Sequence, residues 1–102
     1  MNIIALHAKA GAAAGFLKHL ANPRRLMILC ELLQGERSVG ELEAVVGLGQ
    51  SALSQHLAKL RSAGLVRTRR QSQTIRYSLA DPGIGKVLAV LYDLYCRPRQ
   101  RR

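Results

Sequence analysis

The sequence predicts a mainly α-helical domain with one small β-hairpin, in the order α-α-α-α-β-β-α. Three observations carry that expectation. Apolar residues recur at helical spacing through most of the chain. Each such segment has its own start and stop residues. Only between Leu65 and Leu79 does the pattern change to alternation, in "LVRTRR" and "TIRYSL".

Taken in order, Leu6, Ala10, Ala13, Leu17 and Leu20 mark a first amphipathic helix over about residues 4–20. Its face is rich in small residues, which favours close packing of helix on helix. Asn22 suits an N-cap and Pro23 the first turn of a second helix. Leu26, Leu29, Cys30 and Leu33 form its expected buried stripe, and Gly35 its stop. Ser38 and Glu41 have the spacing of a capping box, ahead of Leu42, Val45 and Val46. Gly47 and Gly49 bracket a tight break. A fourth helix is expected from about Gln50 to Ala63, with Leu53, Leu57 and Leu60 inward and Gly64 at its end. The two strand-like runs join through "QSQ", without an Asn-Gly turn. Asp81 and Pro82 restart a helix over 82–96, with Ile84, Val87, Leu88, Leu91 and Tyr95 on one side. The closing "RPRQRR", residues 97–102, reads as a frayed basic tail. No repeat or linker divides the rest, so residues 1–96 are expected to form one domain.

Composition narrows the partners. Of 102 residues 48% are hydrophobic, enough to fold but with a thin core that oligomerisation would reinforce. Sixteen Lys and Arg against six Asp and Glu leave a formal charge of +10, which suits a polyanion such as nucleic acid. No apolar run approaches the roughly 18 residues of a spanning helix. The N-terminal "MNIIALHAKAGAAAGFLKHLA" lacks a basic segment before its apolar part, and His7, Lys9, Lys18 and His19 interrupt it. It reads as a helix, and the protein as cytoplasmic. Cys30 and Cys96, the two cysteines, are then inert core residues, metal ligands or a reactive pair.

A short helix, a tight turn, a second amphipathic helix and a basic hairpin together describe a winged helix-turn-helix over residues 38–79. With Leu53, Leu57 and Leu60 turned inward, Ser51, Ser54, Gln55 and Lys59 point outward. Gln pairs with adenine, Ser adapts to several base edges, and Lys suits guanine or phosphate. Arg67, Arg69, Arg70 and Arg76 of the hairpin are expected along backbone phosphates, where they position rather than specify. A polar helix face is usually only a solvated one; here the glycine turn, the basic hairpin and the net charge agree on DNA.

The stretch "VGELEAVVGLGQSALSQHLAKLRSAGLVRTRRQSQTIRYSL" resembles the core of the ArsR/SmtB family of bacterial winged-helix repressors, most specifically in "QSALSQHLAKLRSAGLV". The similarity runs from about Asn22 to Cys96. The resemblance implies a homodimer built on the first and last helices, a palindromic operator in double-stranded DNA, and repression relieved by an inducer. It carries Gln50, Ser51, Ser54, Gln55 and His56 into the recognition motif, and Ser38 joins the DNA-facing set. Helical geometry puts His56 on the flank, where it packs or reaches a phosphate. Independently of the family, the small-residue face of the first helix and the apolar stripe of the last call for a partner.

Many members of that family sense metals, and their ligands are missing here. Ser38 and Gly40 of "ERSVGEL" stand where the family's thiolate site has cysteines. The last helix has no histidine, and Asp93 alone cannot hold zinc, which takes four ligands in a closed site. No metal site and no cofactor are expected. "LMILCELL" and "YDLYC" resemble instead the dithiol subgroup typified by BigR and SqrR. That resemblance implies that Cys30 and Cys96 pair on oxidation, or are bridged through added sulfur by a persulfide. A repressor with inert cysteines that answers a metal or another ligand is the nearest alternative, and an architectural DNA-binding protein the next. Cys30 and His56 are the only nucleophile and base an enzyme could use, and they lie on different helices with no oxyanion hole, so catalysis is not expected.

Overall fold

The computed structural model describes residues 1–98; of the expected tail, residues 99–102 lie outside the described residues. The elements are α1 (Ile3–Ala8), α2 (Ala10–Leu20), α3 (Pro23–Leu32), β1 (Arg37–Ser38), α4 (Val39–Val46), α5 (Gln50–Ser62), β2 (Val66–Gln71), β3 (Thr74–Leu79) and α6 (Pro82–Tyr95). The mainly helical class with an antiparallel hairpin is as expected, with two departures. The first helix is broken at Lys9, whose backbone leaves helical geometry and whose N–H bonds back to Leu6 at 3.0 Å. A third strand also exists: β1 pairs antiparallel with β3, giving the sheet order β1-β3-β2. Two residues are too few for alternation to register in a sequence.

Local chemistry sets most boundaries. The Asn22 side chain accepts the Arg24 and Arg25 N–H groups at the start of α3, with Pro23 in its first turn. Ser38 and Glu41 complete the capping box of α4. Asp81 accepts the Gly83 N–H at 2.6 Å to open α6. The hairpin closes more tightly than "QSQ" suggested: Gln71 still pairs with Thr74, so the loop is Ser72 and Gln73, with Ser72 at positive φ.

Gly64 ends α5 with φ of +78°, and an added Cβ would meet nothing within 4 Å. Any cost of Gly64→Ala is therefore backbone strain, about 1 kcal/mol. A urea unfolding midpoint shifted by that amount, with an unchanged slope, is the expected result.

One core holds the helices and sheet together. Ile28, Leu29, Leu42, Leu53 and Leu60 are wholly buried, with Leu32, Val46, Leu57, Leu65, Val66, Ile84 and Leu88 around them. Two stripes fall differently from the sequence expectation. On α3 the inward residues are Ile28, Leu29 and Leu32, while Leu26 is only partly covered and Cys30 and Leu33 face outward. α3 is apolar on two sides, and packing against α4 and α5 selects one of them. On α6, Ile84 and Leu88 are buried, Val87 and Leu91 partly so, and Tyr95 is 81% exposed because the helix end runs past the core.

Arginines of the first turn of α3 tie neighbouring helices to it. Arg24 Nη1 donates to the Val46 carbonyl at 2.8 Å, at the end of α4. Arg25 Nε donates to the His19 carbonyl at 2.9 Å, at the end of α2. Both cations meet carbonyls that a helix terminus leaves unsatisfied.

Candidate nucleic-acid interface

The turn between α4 and α5 is short because Gly47 takes the left-handed conformation at the end of α4. Leu48 packs on the core, and Gly49 starts α5 in an extended conformation. Burial of Leu53, Leu57 and Leu60 then fixes which way α5 rolls. Gln50, Ser51, Ser54, Gln55 and Lys59 are all exposed on its outer side. Thirteen residues make a rod of roughly 20 Å, which a major groove admits. Residues 38–79 carry six Lys and Arg against two Glu, so the unit is positive as a whole.

His56 departs from that group. It is only partly exposed, and its Nδ1 is buried without a hydrogen-bond partner. Burial, with Arg25 and Lys59 adding positive charge, holds the imidazole below its usual range. Folding thus favours the neutral ring. The associated stability is present above the ordinary histidine value, about 6.5, and is lost as pH falls through the folded-state value. A His56→Gln variant should lose less stability than the parent between pH 7 and pH 5, read from urea midpoints.

Ser38 is engaged in capping: its Oγ accepts the Glu41 N–H at 3.2 Å. The hairpin arginines divide into two kinds. Strand alternation puts Arg67, Arg69 and Arg76 on one face of the sheet and Arg70, beside Ile75, on the other. Arg69 grips Glu36 with Nε at 3.0 Å and Nη2 at 2.6 Å. Arg76 donates to Glu41 at 3.2 Å and to Gln71 at 2.8 Å. Arg67 and Arg70 are exposed, and their side chains take part in none of the side-chain hydrogen bonds or ion pairs among the described residues. Glu36, Glu41 and Gln71 are thus parts of the surface that reading along the sequence missed. Partners 33 and 35 residues apart leave no periodic trace.

Cys30 and Cys96 are free and exposed, the first in the last turn of α3 and the second capping α6. Leu33, just past the end of α3, lies against α6: a Cβ on Gly85 would stand 3.0 Å from its Cδ1. Although Cys30 reaches the surface, partial burial is the largest influence raising its thiol, and the charges of Cys96 and Glu31 raise it further. Among the described residues, no three His, Cys, Asp or Glu side chains converge on a point that could hold a metal ion. No helix among them is long and apolar enough to cross a membrane.

A helix-turn-helix with an exposed polar recognition face and a basic hairpin defines a winged-helix DNA-binding regulator. Residues 22–68 match the family model described as "Bacterial regulatory protein, arsR family". The chain is 54% identical over 89 residues to the nodulation protein NolR of Rhizobium meliloti, covering 87% of this chain and 73% of that protein. It is 47% identical over 100 residues to the transcriptional activator HlyU of Vibrio cholerae, covering 98% and 93%. The crystal structure of the transcriptional repressor BigR from Xylella fastidiosa superposes with a TM-score of 0.90 at 41% identity, covering 96% of this chain and all of that one. The chain belongs to the ArsR family. It is a DNA-binding transcriptional regulator and not an enzyme.

Proposed function

We propose that this regulator is a homodimeric, cytoplasmic repressor that holds a palindromic operator and releases it when Cys30 and Cys96 become joined by a disulfide or polysulfide. The observation that carries the switch is that both cysteines are exposed, one three residues before Leu33 and the other at the end of the helix whose Gly85 Leu33 packs against. With a disulfide, one cysteine thiolate attacks and expels a thiolate, and the other cysteine displaces the second thiolate to leave a disulfide bridge. With two equivalents of glutathione persulfide, each cysteine thiolate takes the outer sulfur and releases glutathione thiolate. Attack of one protein persulfide on the inner sulfur of the other then expels hydrosulfide and closes a bridge with one added sulfur. Bridging pins the end of α6 to α3. α6 also belongs to the proposed dimer face, so the cross-link respaces the two recognition helices against half-sites one DNA turn apart.

Support for the dimer comes from apolar side chains left at the surface of α1, α2 and α6. Ile4 is 80% exposed, Leu17 55%, Val90 57% and Tyr92 57%, which no lone soluble domain gains by exposing. In the DNA contacts, Gln50, Ser51, Ser54 and Gln55 read base edges, while Lys59, Arg67 and Arg70 meet phosphate. The Ser38 hydroxyl keeps its own hydrogen for a phosphate, and His56 acts as a packing residue at the flank. BigR, similar over nearly the full chain, is named as a repressor and HlyU as an activator; the repressor reading follows from the proposed release of DNA on bridging.

Intact-protein mass spectrometry before and after glutathione persulfide, with peroxide in parallel, tests the switch. Added sulfur linking Cys30 to Cys96 within one chain is expected with the persulfide. Loss of two hydrogens with peroxide alone would make the protein a general redox sensor. No change with either would overturn the reading.

A second reading has one observation in its favour. A groove of about 600 Å³ opens between α2 and α6, lined by Phe16, His19, Leu65, Ile84 and Val87, and the buried His19 Nδ1 has no partner. Under that reading the cysteines are inert and a small apolar ligand in this groove is the inducer. Slow reaction of both thiols with a chromogenic disulfide under native conditions would favour it.

A further inference from the structure

Arg69 and Arg76 stand directly opposite each other on β2 and β3. Like charges in that relation push strands apart. The segment that precedes the recognition helix neutralises both. Glu36, one residue before β1, takes Arg69 through two parallel N–H donors. Glu41, in the first turn of α4, takes Arg76 Nη1, while the same Oε1 accepts the Ser38 N–H at 2.8 Å. Both carboxyls lie below their usual range, Glu36 chiefly through its hydrogen bond from Arg69 and Glu41 chiefly through the Ser38 N–H. They therefore remain charged wherever the protein is folded near neutrality.

Exposed ion pairs contribute little stability, so a stability role does not account for this arrangement. Its consequence is geometric. A two-pronged Arg–carboxylate contact fixes orientation as well as distance. One end of each contact is on the hairpin; the other is either just before β1, which adjoins α4, or in α4 itself, which packs on α5. The hairpin is thereby held at one angle to the recognition helix. Two glutamates close to the proposed DNA surface would otherwise repel phosphate, and pairing cancels that charge.

We infer that Glu36 and Glu41 are positioning residues for DNA binding, clamping Arg69 and Arg76 so that the hairpin presents Arg67 and Arg70 to phosphate. The inference rests on the reading that the hairpin lies along the DNA backbone. It divides four arginines of one hairpin into two clamps and two contacts.

The test uses the full-length reduced protein and a duplex recovered by selection from a random-sequence pool, with affinity measured across a salt series. Arg67→Ala and Arg70→Ala are each expected to reduce the slope of log K against log salt by about one. Glu36→Gln and Glu41→Gln each remove a negative charge, so a purely electrostatic role would tighten binding. A clamp role weakens it instead, by about three- to tenfold, with the slope unchanged. Glu41→Gln still accepts the Ser38 N–H, so the capping box and the helical circular dichroism should persist.

Reciprocal exchange gives the decisive arm. Arg69→Glu alone should lose at least about tenfold in affinity. Combining it with Glu36→Arg restores both the pair and the parental net charge, and affinity should return. Tighter binding by the Gln variants, or an exchange variant as weak as Arg69→Glu with a slope lower by about one, overturns the clamp and makes Arg69 a phosphate contact. Unchanged slopes for both Arg67→Ala and Arg70→Ala overturn the underlying reading of the hairpin, and the clamp with it.

Discussion

A Cys30→Ser variant should bind operator DNA as tightly as the parent when both are reduced, and should keep binding after glutathione persulfide. The parent should lose about a hundredfold in affinity under the same treatment. That loss corresponds to about 2.7 kcal/mol of differential binding between bridged and reduced protein. Ser removes the sulfur but retains a small side chain at a position already open to solvent, so reduced-state packing is spared. Fluorescence anisotropy with a labelled operator duplex reads both states. Continued release of DNA by the variant after persulfide would sink the thiol switch. The raised Cys30 thiol adds a rate expectation. In a Cys96→Ser variant, alkylation at Cys30 should still be accelerating as pH passes 9, because burial, its largest raising influence, remains.

Leu57→Ala, like truncation of Leu53 or Leu60, should be strongly damaging on α5. The side chain is 1% exposed and stands between Leu53 and Leu60, both wholly buried. Removing it costs the transfer free energy of the lost carbons plus the cavity left behind, about 3 kcal/mol. A domain of this size should then melt roughly 12–24 °C lower. Ser54→Ala, on the exposed side of the same helix, should move stability by less than about 0.5 kcal/mol while weakening operator binding. Thermal melts and binding isotherms of the pair separate the packing face of α5 from its reading face. Equal melting losses for both would mean that the helix is rolled differently from the structure described.

Much of this was legible along the chain because its causes are local. A cap needs only a side chain and the backbone two or three residues away. Asn22, the Ser38–Glu41 box and Asp81 therefore mark helix starts, and Gly35, Gly47 and Gly64 their ends. The polar face of α5 followed by subtraction, once Leu53, Leu57 and Leu60 were assigned inward. The break at Lys9 had no such marker: it carries neither a proline nor a helix-stopping glycine at the break itself.

Periodicity and capping act within a few residues, and they were enough to place α3 to α6, the hairpin and the polar outer face of α5. Tertiary structure decided what periodicity leaves degenerate. α3 is apolar on two sides, and only packing with its neighbours turned Ile28, Leu29 and Leu32 inward and left Cys30 exposed. β1 exists because β3 offered it hydrogen bonds. Arg69 and Arg76 found Glu36 and Glu41 because chain folding brought distant residues together, and a contact across more than thirty residues depends on the whole path between them.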